Sequence, residues 1–394
     1  MSSSAFELIA SRAIHGGLSP DPATGAILTP IYQSTTFVQQ EVGKHKGYTY
    51  SRLANPTVEA LERNLGALEQ ALPAVAFATG LAAETTLFLA LCKAGDHVVL
   101  SKVVYGGTVR LLRRVLGRFG VTCALVDTTS EADLRAALER PTRIVFVESP
   151  GNPTLVLTDI QTVAAIAHEA GALVAVDNTF LTPALQQPLE LGADVVVYST
   201  TKYIEGHNAT VGGALVTRNA DLLEQFKFVR NATGCSQSPL EAWLTLRGIK
   251  TLPLRMREHS ARALAVAQFL ERHPLVTWIS YPGLDSFPQR ELACRQQMDG
   301  GGMIAFEVEG GTQAGLTLMK SVRLCSLAEN LGAVETLITH PATMTHGSCT
   351  PAERAEMGIS DGLVRLSVGL EDSDAIIGDL ARALAATRET KEQA

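Results

Sequence analysis

The stretch "GADVVVYSTTKYIEGHN", residues 192–208, decides how the chain is read. Its first half is an unbroken run of small and β-branched residues, which predicts a strand buried on both faces and ending at Val197 or Tyr198. Its second half is a polar turn with a lone lysine, Lys202, among hydroxyls and aromatics. Working outward, "HVVLS", "TCALVD", "RIVFVES" and "ALVAVD" repeat the strand type, separated by helix-period segments such as "EADLRAAL" and "DIQTVAAIAHEAG". Apolar strands alternating with helices predict an α/β fold with a mainly parallel, doubly wound sheet covered on both faces.

Upstream, "TVEALERNLGALEQAL" sets Val58, Leu61, Leu65, Leu68 and Leu72 on one helix face, and "LAAETTLFLALCKAG" predicts a more buried helix ending at Gly95. Between the strands, "TVRLLRRVLGRFG" also has a helical period. After "LRGIKTLPLRM" the rhythm changes to a long helix around "MREHSARALAVAQFLERH", strands near "VTWISY", "GMIAFEVEG" and "LVRLSVGL", and a terminal helix. These predict a smaller α+β domain. The expected divisions are an extended N-terminal arm at 1–56, rich in Gly, Pro, Ser and Thr, a large domain at 57–250 and a small C-terminal domain at 251–394.

Composition limits the partners. With 394 residues, 46% hydrophobic and 19% charged, the chain is long enough for two globular domains. No apolar run reaches the ~18 residues of a membrane span, and the N-terminus lacks a basic head with an apolar signal core, so a cytoplasmic location is expected. A net charge of −7 without a basic block argues against nucleic acid. The six cysteines (Cys92, Cys123, Cys235, Cys294, Cys325 and Cys349) form no C-x-x-C pair and suit reduced structural thiols rather than zinc or disulfides. No metal is expected. The sequons at Asn208 and Asn231 carry no meaning in a cytosolic chain.

In doubly wound sheets, ligands bind at the carboxyl ends of the strands. Asp177 ends "ALVAVD", and Lys202 follows the next strand, so both reach one sheet edge. The pair suits pyridoxal phosphate (PLP): a lysine amine to bond its aldehyde and a carboxylate to keep its ring nitrogen protonated. Alternatives are a helix-capping Asp177 or a structural Lys–Asp ion pair. "FATGLAAE" runs into a helix with Gly80 and Leu81 at its start, where backbone N–H groups can face a phosphate, and Ser199 and Thr201 can add hydroxyls. Tyr50 and Arg52 in "YSRLANPT" can donate to the same phosphate if the arm reaches it; otherwise Arg52 is a solvated charge. Tyr105, before a Gly-Gly pair, can stack on a flat ring or belong to the core. Arg365, among apolar neighbours in "LVRLSVGL", needs either an internal carboxylate or that of a substrate.

These features resemble the Cys/Met-metabolism family of PLP enzymes, which includes cystathionine γ-synthase, cystathionine γ-lyase and methionine γ-lyase. The resemblance spans nearly the whole chain in order: "YSRLANPT", "FATGLAAE", "YGGTVR", "VESPGNPT", "VDNTF", "STTKYIEGHN", "LRGIKTLPLRM", "SLAENLG", "PATMTH" and "VRLSVGLED". It implies fold type I and a homotetramer of active dimers, in which Tyr50 and Arg52 serve the neighbouring protomer's phosphate. It further implies that Lys202 attaches the cofactor, Asp177 meets its ring nitrogen and Tyr105 stacks on the ring. Gly80, Leu81, Ser199 and Thr201 would hold the phosphate, Asn152 would lie near the ring hydroxyl, and Arg365 would bind the substrate carboxylate. Lys202, freed when substrate takes its place on the cofactor, would then move protons for elimination or replacement at the γ-carbon. His207 in the same turn offers a second base, or satisfies local backbone groups.

Three positions bear on substrate. Gly107 stands where methionine γ-lyases usually have cysteine, and Arg110 and Glu329 match the cystathionine enzymes. A carboxylate at Glu329 favours a distal cation such as the second amino group of cystathionine; alternatively, Arg110 and Glu329 pair with each other. Together these argue against a plain methionine lyase, which stays as the rival reading. The resemblance puts position 330 close to the substrate carboxylate and the lysine; Asn330 departs from the family's usual serine, and the bulkier amide leaves room for an O-linked homoserine analogue with a cationic group, such as canavanine. The intact set of Lys202, Asp177, Tyr105 and Arg365 argues against a catalytically silent PLP-binding protein.

Overall fold

The computed structural model describes residues 3–345, 347 and 350–392. Cys349, and the His346 that closes "PATMTH", lie outside the described residues. Among the described residues twelve strands form two sheets: β1 (Val75–Phe77), β2 (His97–Ser101), β3 (Thr122–Val126), β4 (Ile144–Glu148), β5 (Leu173–Asp177), β6 (Val195–Tyr198) and β7 (Gly213–Thr217) in one. The other holds β8 (Val276–Ser280), β9 (Met303–Val308), β10 (Ser326–Leu327), β11 (Leu337–Thr339) and β12 (Leu363–Ser367).

The first sheet has the order β1-β7-β6-β5-β4-β2-β3. Strands β6, β5, β4, β2 and β3 run parallel, and β7 runs antiparallel to both its neighbours. The five apolar segments read from sequence are these parallel strands, and β2 and β4 are buried along their whole length. Strands β1 and β7 are additions: at three residues β1 is too short to show a period, and "GALVT" follows a loop instead of a helix. In the second sheet, of order β10-β11-β12-β9-β8, only the β10–β11 pair is parallel, and β12 is central.

Helix starts follow capping chemistry. The side chains of Asn55, Thr79, Ser130 and Asp159 each accept a first-turn N–H, at the heads of Pro56–Leu68, Gly80–Leu91, Glu131–Leu138 and Ile160–Glu169. Leu61, Leu65 and Leu68 are fully buried, as their spacing requires. The segment "TVRLLRRVLGRFG" is not one regular helix. An α-helix, Gly106–Arg110, passes into a π turn, Leu111–Val115, and a 3-10 turn, Leu116–Phe119. That change of pitch keeps Leu112 and Leu116 inward while Arg113 and Arg114 stay exposed.

The N-terminal region contains a helix, Ser3–His15, that sequence reading did not anticipate; Ile9 and Ala13 enter the core beside Leu61 and Leu65. The segment from 23 to 53 has no helix and is largely exposed. Among the described residues no helix is long and apolar enough to cross a membrane. Of the described cysteines, Cys325 is buried, Cys92, Cys123 and Cys235 are half-buried, and Cys294 is exposed, so Cys294 does not have the interior place of a structural thiol.

Candidate active site

Register brings the chemistry to one edge. In the parallel ladder Glu148 is level with Asp177, and Asp177 with Val197, so β4, β5 and β6 end together. The turn after β6 then carries Lys202 to that edge. A cavity of about 500 Å³ opens there, and Arg365, from the central strand of the second sheet, reaches it too. Lys202, Asp177, Tyr105, Asn152, Gly80, Leu81, Ser199, Thr201, Arg110, Glu329, Asn330 and Arg365 all line it.

Lys202 Nζ donates to Asn330 Oδ1 at 2.5 Å. Burial, reinforced by the nearby Arg365 guanidinium, lowers its pKa to about 8. No described carboxylate stands within 4.0 Å of it, so the structural Lys–Asp ion pair does not form. Asp177 is buried, and its Oδ1 accepts the N–H of Thr179 at 2.9 Å, a local turn instead of a helix cap. Burial pushes its pKa up to about 6. A buried carboxylate with no ion partner suits a ligand that brings a cation.

Gly80 shows how closely the helix start approaches the lysine turn. A Cβ there would lie 2.9 Å from Ser199 Cβ, so only glycine lets the two segments meet. The N–H groups of Gly80 and Leu81, in the first turn, have no acceptor within the helix. Ser199 takes the Thr179 hydroxyl as acceptor for its own N–H, at 2.8 Å. Thr201 differs: its hydroxyl is engaged by Gly212, donating to the carbonyl at 3.2 Å and accepting from the N–H at 2.9 Å.

Tyr105 is held by its backbone N–H, which donates to Glu148 Oε2 at 2.6 Å, and the residue is 42% exposed, so it is not a core tyrosine. A Cβ on Gly107 would fall 2.3 Å from Tyr105 Cε1, so a larger residue at 107 requires the Tyr105 ring to shift. Arg365 is 4% exposed and donates to Asn152 Oδ1 at 3.0 Å and to the Asn330 carbonyl at 3.3 Å. Among the described residues it has no carboxylate within 4.0 Å, so the internal ion pair is absent. Burial lowers its pKa to about 10. Arg110 and Glu329 are both exposed to the cavity and form no ion pair with each other.

Two expected phosphate donors are not brought to this cavity within the chain. Tyr50 is 43% exposed, and Arg52 bonds Asn231 Oδ1 at 2.6 Å and its carbonyl at 2.8 Å, with the guanidinium over the Tyr50 ring. His207 also stays outside; its Nδ1 lies 2.7 Å from the Glu205 carbonyl, the local satisfaction weighed against a second base.

Sequence reading passed over Glu84, Glu148 and Thr179, which line the same cavity. Glu148 ends a strand as Asp177 does, and Glu84 follows Gly80 by one helical turn, so both signals were available. Glu84 is 3% exposed and its Oε2 has no hydrogen-bond partner. Burial and the Asp177 charge push its pKa up to about 8, from an ordinary 4.5. Its stabilising contribution is therefore complete below the ordinary value and is lost as pH rises through the folded-state value. Glu84→Gln has no such dependence. In the cofactor-free protein its melting-temperature advantage over wild type should grow between about pH 5 and pH 8 by a few degrees and then level off. A pH-independent difference in thermal scans would show Glu84 ionised throughout.

The donor set fits PLP. The buried Asp177 carboxylate suits a protonated ring nitrogen, the helix start at Gly80 suits a phosphate, and the Lys202 amine suits an aldehyde.

Comparison with known proteins points the same way. The family model for Cys/Met metabolism PLP-dependent enzymes matches residues 10–385. The chain is 46% identical to a cystathionine γ-lyase of Bacillus subtilis, covering 94% of this chain and 97% of that one. It is 48% identical to a cystathionine γ-synthase of Mycobacterium tuberculosis, covering 95% and 96%. The solved structure of a cystathionine γ-synthase from Xanthomonas oryzae in complex with cystathionine superposes with a TM-score of 0.94 at 42% identity, over 97% of this chain and 99% of that one. With a family match over nearly its full length and a cavity that suits the cofactor, the chain belongs to the Cys/Met metabolism family of PLP-dependent enzymes.

Proposed function

We propose that this enzyme acts at the γ-carbon of a γ-substituted L-amino acid, by elimination or replacement, with cystathionine or its immediate precursors as substrate. The observation that carries this reading is one cavity holding a half-buried amine, Lys202, and a buried guanidinium, Arg365, neither paired to a carboxylate among the described residues. Bound PLP supplies an aldehyde for the amino group and a ring that takes up negative charge from the adjacent carbon. Lys202 would attach it, Asp177 would face its ring nitrogen and Tyr105 its plane. Gly80, Leu81 and Ser199 would hold its phosphate, with Thr201 alongside, and Asn152 would stand near its ring hydroxyl.

The chain's own residues then divide the work. Arg365 grips the substrate α-carboxylate as a two-pronged donor. Lys202, with a pKa of about 8, is partly neutral near neutral pH and so can take the α-proton and return it at the neighbouring carbons. Arg110 and Glu329, free of each other, are available to read the distal end, and the Glu329 carboxylate favours a distal ammonium.

The arm of residues 1–56, the large domain 57–250 and the small domain 251–394 fit a homotetramer of active dimers in the cytoplasm. The position of Tyr50 and Arg52 outside their own cavity supports their service to a neighbouring protomer.

A panel of cystathionine, methionine, homocysteine, O-acetyl- and O-succinylhomoserine and canavanine, with and without cysteine, tests the reading. Rapid 2-oxobutanoate from cystathionine identifies a γ-lyase; thioether from an activated homoserine plus cysteine identifies a synthase. Turnover of methionine or canavanine alone would remove the cystathionine assignment, and no change in the cofactor spectrum with any substrate would remove the catalytic one.

A further inference from the structure

A continuous hydrogen-bonded row runs from Lys202 to the surface. Lys202 Nζ donates to Asn330 Oδ1 (2.5 Å), Asn330 Nδ2 to Asn208 Oδ1 (2.6 Å), and Asn208 Nδ2 to Glu335 Oε2 (2.9 Å). An ammonium only donates and a carboxylate only accepts. Both amides must therefore turn their oxygens toward Lys202 and their NH₂ groups toward Glu335, so the two charged ends dictate the sense of every link.

The backbone holds the row in place. Asn208 has a φ of 54°, left-handed backbone that asparagine tolerates better than most residues. Glu205 Oε2 accepts the N–H groups of His207 and Ala209 on either side of it, at 3.0 and 3.1 Å. Arg365 fixes the Asn330 carbonyl. At Gly332 a Cβ would stand 2.6 Å from Tyr203 N, so this loop lies directly on the lysine turn.

We propose that Asn208 and Glu335 are positioning residues which, through Asn330, hold the freed Lys202 amine in one place and one hydrogen-bonded state between its proton transfers. The inference deepens the proposed function and rests on Lys202 being the base. It gives Asn330, which the resemblance puts close to both the substrate carboxylate and the lysine, the part of holding the lysine. The charged side chains that share the cavity with Lys202 are Arg365 from β12, Asp177 and Glu148 from the ends of β5 and β4, Glu84 from the helix Gly80–Leu91, Arg110 and Glu329. Against burial and Arg365, which disfavour the charged amine, Asn330 Oδ1 favours it.

The test uses holoenzyme. Asn208→Gly keeps the left-handed backbone and removes the amide; Glu335→Gln weakens the terminal acceptor. Asn208→Gly should move the acid limb of kcat to lower pH by about half a unit, the scale of one hydrogen bond, and Glu335→Gln should move it the same way by less. KM should change by less than about twofold, because neither side chain lines the cavity. In rapid-mixing absorbance, dilution of a non-eliminating amino acid such as L-alanine should restore the resting cofactor spectrum about threefold more slowly in Asn208→Gly. A pH profile and return rate identical to wild type would overturn the proposal, as would a raised KM with an unchanged profile. Borohydride reduction and peptide mapping separate the two levels: a cofactor label on a residue other than Lys202 defeats the assignment of the lysine itself.

Discussion

Lys202→Ala should lower turnover by at least about 1,000-fold while the protein stays folded and still takes up PLP, now without a covalent bond. Two functions are lost together, since one amine both attaches the cofactor and moves the protons, and positioned acid–base catalysis alone contributes about 100- to 10,000-fold. The fold should tolerate the change, because burial already disfavours the ammonium. A small exogenous amine should restore part of the activity by replacing the missing base. The measurement is product formation with and without added amine, beside the borohydride-labelled peptide map. Full activity in Lys202→Ala would remove the mechanism outright.

Arg365→Met should raise KM for the amino-acid substrate by about 100-fold or more, with a smaller loss in kcat. Removing one partner of a buried charged pair costs about 2–5 kcal/mol, and each 1.4 kcal/mol is a factor of ten. The control is an amine analogue of the substrate without its α-carboxylate. Wild type should discriminate strongly against it, and the variant should lose that discrimination. Because Arg365 is buried without an ion pair among the described residues, the cofactor-free variant should melt no more than a few degrees below wild type. A large drop in melting temperature with unchanged KM would make Arg365 a structural residue.

Much of this site is strand-end chemistry, and strand ends are legible in sequence. Asp177 ends one continuous apolar run and Lys202 follows another, and in a chain that alternates such runs with helices they mark strands of a helix-covered parallel sheet. Had the same rule been applied to "RIVFVES", it would have yielded Glu148. Strands β1 and β7 escaped because short segments carry no period, and the broken helix after Tyr105 escaped because pitch depends on what each leucine packs against.

The sequence by itself determined the fold class and, through the order of its motifs, the family, and it placed Lys202, Asp177 and the glycine-led helix start at one sheet edge. These follow from local periodicity and from motifs whose residues are neighbours in sequence. Only the tertiary structure decided that Lys202 and Arg365 lack ion partners among the described residues, that Arg110 and Glu329 form no ion pair, and that Thr201 is engaged by Gly212. It alone gave the Asn330 amide its bond to Lys202 and brought Asn208 to Asn330 and Glu335. Pairing between positions more than a hundred residues apart depends on how two sheets pack, and no local pattern encodes that distance.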